Sequence, residues 1–207
     1  NHISFIYVIA KSVTANNPYI GKVPKNCIKS NITKEWLEDF LKYQQSRANI
    51  YTTANNIKYL SKVFDKIKTS KTSLIENKIK SKTIYYINKI NSDTRYNYGK
   101  KKEDIITIQK MQAKKLVYLY KTNIRYYYNK LNAMINKKIL TKEEICVVKY
   151  LDFTPHVILI FDDCASKFKE WCNKSTIIKE MFYEGRHYYI TLVITSQSDK
   201  EIVSELR

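Results

Sequence analysis

A chain of 207 residues, 44% of them hydrophobic, is long enough to bury a core of ordinary size, which argues against a disordered chain and for one domain with an elaboration. The formal net charge of +18 is unevenly spread: Lys and Arg stand 7 to 3 against Asp and Glu over residues 1–56, 23 to 7 over 57–150 and 7 to 9 over 151–207, so any polyanion-binding surface belongs to the middle. No apolar run approaches the roughly 18 residues of a membrane span, and Cys27, Cys146, Cys164 and Cys172 show neither a CxxC pair nor ligand spacing with a His, which speaks against zinc and a disulfide framework.

The first predicted element is a strand over residues 3–10, "ISFIYVIA", whose unbroken apolar run suits a parallel sheet covered on both faces. A polar loop follows. From Thr33, "TKEWLEDFLKYQQ" reads as a short amphipathic helix with acids in its first turn, and "NNIKYLSKVFDKI" as another. Residues 68–91 are rich in Lys and Ile with weak periodicity, "NSDTRYNYGKKK" breaks the chain, and Glu103 to Ile139 reads as one long helix without Gly or Pro. Thr141 and Glu144 form a capping box that opens a helix to about Tyr150.

The last third changes character. "HVILIF" is a second buried strand, "STIIKEMFYEG" a short helix stopped by Gly185, "YITLVITSQ" a third strand, and "SDKEIVSELR" the start of a helix under a Ser198/Glu201 capping box. Apolar strands separated by helical stretches predict an α/β fold: a parallel sheet with helices on both faces and a basic, mainly helical insertion. The expected organisation is one domain over 1–207, with its core in 1–67 and 141–207 and the insertion over about 68–140. The chain opens on Asn1 and stops inside a predicted helix, as a truncated domain would.

The chemistry is concentrated in "VILIFDDCAS", where a buried strand ends in Asp162 and Asp163. In open parallel sheets ligands bind outside the carboxyl ends of the strands. A carboxylate delivered there can hold Mg²⁺ together with nucleotide phosphates, and a second can orient or deprotonate a water. Aliphatics followed by two acids are thus the Walker B pattern of P-loop ATPases. Taken alone the pattern also describes a strand whose acids face water or cap the next helix.

Its company narrows the choice. "VILIFDDCAS" followed by "MFYEGRHYYITLVITSQSDKEIVSELR" resembles the DNA-packaging ATPases of nucleocytoplasmic large DNA viruses, the poxvirus-type members of the FtsK/HerA branch of P-loop motors. "FIYVIAKSVTANNPYI" looks like the strand and loop after the P-loop helix in that family, while 68–140 match by position and basicity only. The resemblance implies a partial P-loop NTPase sheet that binds ATP and Mg²⁺, with Asp162 supporting the metal. It puts Asp163 in the place of the water-activating acid, often Glu in this branch, and Gln197 as sensor of the γ-phosphate or the attacking water. Arg186 is the candidate for reaching a neighbouring subunit's nucleotide, with Arg207 behind it, although Arg186 also fits a surface arginine closing a turn. His187 reads as structural. The family further implies a homo-oligomeric ring that drives double-stranded DNA into a capsid, viral capsid components as partners, and work in the host cytoplasm at the assembly site or in the virion.

Two features complicate this picture. None of the glycines, in "YIGKVP", "NYGKKK" and "YEGRHY", gives GxxxxGK[ST], so the phosphate cradle is expected upstream of Asn1 and this chain alone is not expected to hydrolyse ATP. The Lys and Tyr of the middle segment suit phosphate contact and base stacking, with Lys100, Lys101, Lys102, Lys114 and Lys115 as candidate DNA contacts. The same composition also follows from an AT-rich coding sequence and from tyrosines buried at helical spacing. A basic, non-enzymatic DNA-binding protein and a Mg²⁺-dependent nuclease remain as rivals, the latter needing further acids such as Glu184 or Asp199.

Overall fold

The computed structural model of the chain describes residues 5–10, 18–94, 97–163 and 176–195. In chain order its elements are β1 (Phe5–Ala10), a 3-10 turn (Lys25–Cys27), β2 (Ile28–Lys29), α1 (Lys34–Ala54), α2 (Ile57–Asp65) and α3 (Ser70–Ser92). There follow α4 (Tyr98–Tyr126), α5 (Tyr128–Asn136), α6 (Lys142–Tyr150), β3 (Val157–Asp162), α7 (Ile177–Glu184), a 3-10 turn (Gly185–Tyr188) and β4 (Ile190–Thr195). The helix expected under Ser198 and Glu201 lies outside the described residues. The chain divides into two compact units, Asn1–Tyr51 with Asp152–Arg207, and Thr52–Leu151.

The first unit is built on a four-stranded, wholly parallel sheet in the order β2-β1-β3-β4. β1, β3 and β4 run in full register, from Phe5, Val157 and Ile190 at one end to Ala10, Asp162 and Thr195 at the other. Alternation sends Val157, Leu159 and Phe161 into one core cluster with Leu37, Phe40 and Leu41 of α1 and Ile178 and Met181 of α7. Leu159, Phe161 and Ile178 are fully buried, and each such side chain stabilises the fold by about 1.5–3 kcal/mol.

The helical cover expected on both faces lies, among the described residues, on this face alone. Val8 and Ala10 on the opposite face are packed by Val23, Cys27 and Ile28, with Tyr19 and Ile20 against them. Pro18, Gly21 at φ 80° and Pro24 keep that segment out of helix, so its apolar side chains cover the sheet from a turn instead.

Two polar residues of α1 hold the amino end of the sheet. The buried Gln44 donates through Nε2 to the carbonyls of Pro155, at 2.6 Å, and Tyr188, at 2.8 Å, groups that the strand ladder leaves over. The Arg47 guanidinium stacks on Phe5 and Phe153, both 4.9 Å away, and donates to the Thr154 carbonyl at 3.3 Å.

The second unit is helical and has its own core, formed by Leu60, Val63 and Phe64 of α2, Leu116, Tyr120 and Ile124 of α4, Leu131 of α5, and Val147 and Val148 of α6. It is wider than the insertion expected over 68–140, because α2 and α6 bury their apolar faces inside it. The predicted helix from Glu103 to Ile139 is two helices. It starts earlier, with the Asn97 side chain accepting from the Gly99 N–H at 2.9 Å, and it breaks at Tyr127, whose φ of −98° and ψ of 21° leave helical geometry. The Thr141/Glu144 capping box forms as expected. Inside this unit Glu76 accepts from Tyr120 at 2.8 Å and pairs with Lys80 at 2.5 Å. No described helix is long and apolar enough to cross a membrane.

Candidate functional site

The carboxyl ends of β1, β3 and β4 lie level, so Asp162 is flanked in register by Ala10 and Thr195. The Thr195 hydroxyl donates to Asp162 Oδ1 at 2.5 Å and accepts the backbone N–H of Asp163 at 3.3 Å. One side chain on β4 therefore engages both members of the acid pair. The phenol of Tyr19, from the turn covering the sheet, also hydrogen-bonds Asp162; burial, then the Asp162 charge, then this hydrogen bond push its pKa above the usual tyrosine range.

The two acids do not share an environment. Asp162 closes the strand and is half-buried, whereas Asp163 turns out of it at φ 48° and is exposed. Asp is among the few residues that enter this left-handed region readily, so the turn needs no glycine. The arrangement offers one oxygen donor held in place by hydrogen bonds and, beside it, one carboxylate open to solvent. Oxygen donors of this kind suit Mg²⁺, which keeps several waters and takes one or two carboxylates plus phosphates. Among the described residues no group of three or more His, Cys, Asp or Glu forms a metal cage.

Sequence reasoning singled out the acids but neither Thr195 nor Tyr19. Thr195 left a signal: it is where "YITLVIT" stops being apolar, at the strand end that registers with Asp162. Tyr19 left none, because it reaches the site through the turn at residues 19–23, where the Lys22 and Val23 N–H groups both donate to its carbonyl at 3.0 Å.

Arg186 is not brought to this site. It lies in the 3-10 turn that enters β4, at the opposite end of a six-residue strand from Thr195, roughly 16 Å along the sheet. Its Nε donates to His187 Nε2 at 3.4 Å, and His187 lies 3.6 Å from Glu184. Glu184 closes α7 at that same far end, so it does not join Asp162 and Asp163 in a cluster of acids. Gln197, Arg207 and Asp199 lie outside the described residues. Gly21 sits in the turn at 19–23, Gly99 in the first turn of α4, and Gly185 caps α7, so none opens a loop between a strand and a helix.

The candidate DNA contacts all lie on α4 of the helical unit. Lys102, Lys114 and Lys115 are exposed, and Lys101 donates to the Asn91 carbonyl near the end of α3 at 3.2 Å. Lys101 and Lys114 stand roughly 20 Å apart along the helix axis. Among the described cysteines, Cys27 is buried and Cys146 half-buried.

Comparison with known proteins finds relatives in two viruses. Over 219 aligned positions the chain is 28% identical to the uncharacterized protein B354L of African swine fever virus, an alignment that takes in all of this chain and 56% of that protein. Over 89 positions it is 33% identical to the uncharacterized protein L437 of Acanthamoeba polyphaga mimivirus, covering 40% of this chain and 31% of that protein. The chain thus spans little more than half the length of the B354L proteins it matches. No protein-family model matches the chain, and no solved structure matches it.

Proposed function

We propose that the sheet unit carries the acidic half of an ATP-hydrolysing site, in a motor of the FtsK/HerA branch that packages viral DNA. The observation that supports this reading best is the hydrogen-bonded pair of Asp162 and Thr195 at the level ends of adjacent parallel strands. A rigid carboxylate at a strand end beside an exposed one is what hydrolysis at a nucleotide phosphate requires. The viral relatives are compatible with it.

In this reading Mg²⁺, when bound with ATP, neutralises charge on the β- and γ-phosphates. Asp162 and the waters it orients would hold the ion, while Thr195 and Tyr19 keep that carboxylate in one rotamer. Asp163 accepts a proton from the attacking water as the water oxygen bonds to the γ-phosphorus and the bridging oxygen leaves with ADP. Gln197 senses the γ-phosphate or the attacking water. Arg186, remote from its own site, serves a neighbouring subunit's nucleotide in a homo-oligomeric ring, with Arg207 as the alternative. This reading needs a phosphate-binding loop of the GxxxxGK[ST] type, which residues 1–207 do not carry. The basic helical unit contacts double-stranded DNA, and the motor works with capsid components at the assembly site in the host cytoplasm or in the virion.

A second reading, a basic DNA-binding protein whose acids are structural, draws support from the separate core of the helical unit. ATP turnover by the full-length protein, measured with and without duplex DNA, separates the two. The motor reading expects Mg²⁺-dependent turnover stimulated by DNA, with Asp162→Asn raising the Mg²⁺ concentration needed. DNA binding without turnover would establish the second reading.

A further inference from the structure

Helices α3 and α4 leave between them a groove of about 530 Å³. Its floor is apolar: Ile75 and Ile79, one turn apart on α3, and Ile108 and Met111, one turn apart on α4. Ile75 is 39% and Met111 53% exposed, so this is an open trough and not a sealed cavity. Single exposed apolar residues are ordinary, but here four from two helices line one concave trough whose volume falls in the range of binding pockets.

The rim has one sign of charge. Lys78, Lys82 and Lys115 line it, and among the described residues no carboxylate does. Lys82 lies over the ring of Tyr86, which also lines the groove, at 5.9 Å from the ring centre. Glu76, on the same helix, is buried and engaged by Tyr120 and Lys80.

We propose that this groove docks an amphipathic helix of a partner protein, with an apolar ridge that fills the floor and Asp or Glu on its flanks that meet the three lysines. A trough between two helices is shaped for the ridge of a third, read as anchors at i, i+3, i+4 and i+7. The uniformly positive rim selects acidic flanks and rejects basic ones. Met111 suits the role, since its flexible thioether repacks around different anchors. A nucleic-acid duplex matches the lysines but offers no apolar ridge to cover Ile75 and Met111, because its outer surface is phosphate.

The test uses the full chain and a fluorescently labelled synthetic helical peptide, with Leu at i, i+3, i+4 and i+7 and Glu on both flanks, read by anisotropy. One control peptide scrambles that composition to destroy the stripe, and another replaces Glu by Lys. The striped acidic peptide binds at least about tenfold more tightly than either control. Met111→Asp, and Lys78→Glu with Lys82→Glu, each weaken it by about tenfold or more, whereas Met111→Leu and the distant pair Lys130→Glu with Lys137→Glu do not. Unchanged circular dichroism of the variants shows that the effect is local. Equal binding of the scrambled acidic peptide, or indifference of the striped one to Met111→Asp, overturns the proposal. Loss of binding of a DNA duplex on the uncharged Met111→Ser also overturns it, by making nucleic acid the occupant.

Discussion

Thr195 donates its hydroxyl to Asp162 across the pair of strands β3 and β4, at 2.5 Å, and with the same oxygen accepts the N–H of Asp163 at 3.3 Å. Fixing a carboxylate at a strand end in this way removes rotamers that a metal ion or a nucleotide would otherwise have to select. Thr195→Val keeps the shape of the side chain and removes both bonds. A hydrogen bond to a charged group contributes about 1.5–3 kcal/mol, and the exposure of this one sets it at the lower end. Chemical denaturation should therefore show a loss of about 1.5 kcal/mol. In the full-length protein the Mg²⁺ dependence of any ATP turnover should move to higher concentration, and an unchanged Mg²⁺ profile would mean that Asp162 needs no positioning.

Gln44 ties the start of β3 and the turn before β4 to α1 through the carbonyls of Pro155 and Tyr188. Gln44→Leu fills similar space but leaves both acceptors without that donor, at about 1–3 kcal/mol for each buried group. The expected result is a large fall in thermal stability, read by calorimetry. A change of less than about 0.5 kcal/mol would show that water replaces the amide.

A buried carboxylate of the helical unit, Glu76, gives a pH prediction. Burial raises the Glu76 pKa, but hydrogen bonds from Lys80 and Tyr120 and the charges of Lys80 and Lys68 together outweigh it and hold the group below the usual carboxylate range. Its contribution to stability is complete above the unfolded value of about 4.3 and is lost as the pH falls through the folded value. Tyr120, pushed up to about 12 by burial and by Glu76, works in the other direction: its contribution is complete below about 10 and is lost as the pH rises through the folded value. Glu76→Gln should flatten the acid limb of a stability profile, and Tyr120→Phe the alkaline one. Acid and alkaline limbs that both stay unchanged would mean that this network does not set the pH dependence of the fold.

Neutralising Lys100, Lys101, Lys102, Lys114 and Lys115 to Gln should flatten the salt dependence of DNA binding. Every lysine that ceases to neutralise a phosphate lowers the slope of log K against log salt by about 0.9. An unchanged slope would mean that other surfaces of the chain meet the phosphates.

Much of the sheet was legible because its signal is local. The apolar runs of β1, β3 and β4, the Gly185 stop and the Thr141 capping box each depend on residues close in sequence, and each appears where expected. Tyr127 and the boundaries of the helical unit were not legible. Nothing at Tyr127 resembles a helix breaker, and α1 carries the chain from one unit into the next without a Pro or Gly linker. The short β2 was missed because two residues, Ile28 and Lys29, become a strand only by pairing with Val8 and Ile9. The acid pair was found from sequence because charge at the end of an apolar run is conspicuous. Thr195 and Tyr19 act on it through strand register and a turn, which only the folded chain brings together.

Asp163 is the residue proposed to activate water at a nucleotide. Asp163→Asn keeps the size of the side chain and removes its capacity to take a proton, so the decisive measurement is steady-state ATP turnover beside Mg²⁺·ATP binding in the full-length protein. Under the proposed role, turnover is abolished while nucleotide affinity stays within about threefold, a difference below about 1 kcal/mol. Turnover of the variant near that of the wild type, or a wild-type protein that binds DNA but never hydrolyses ATP, would contradict it.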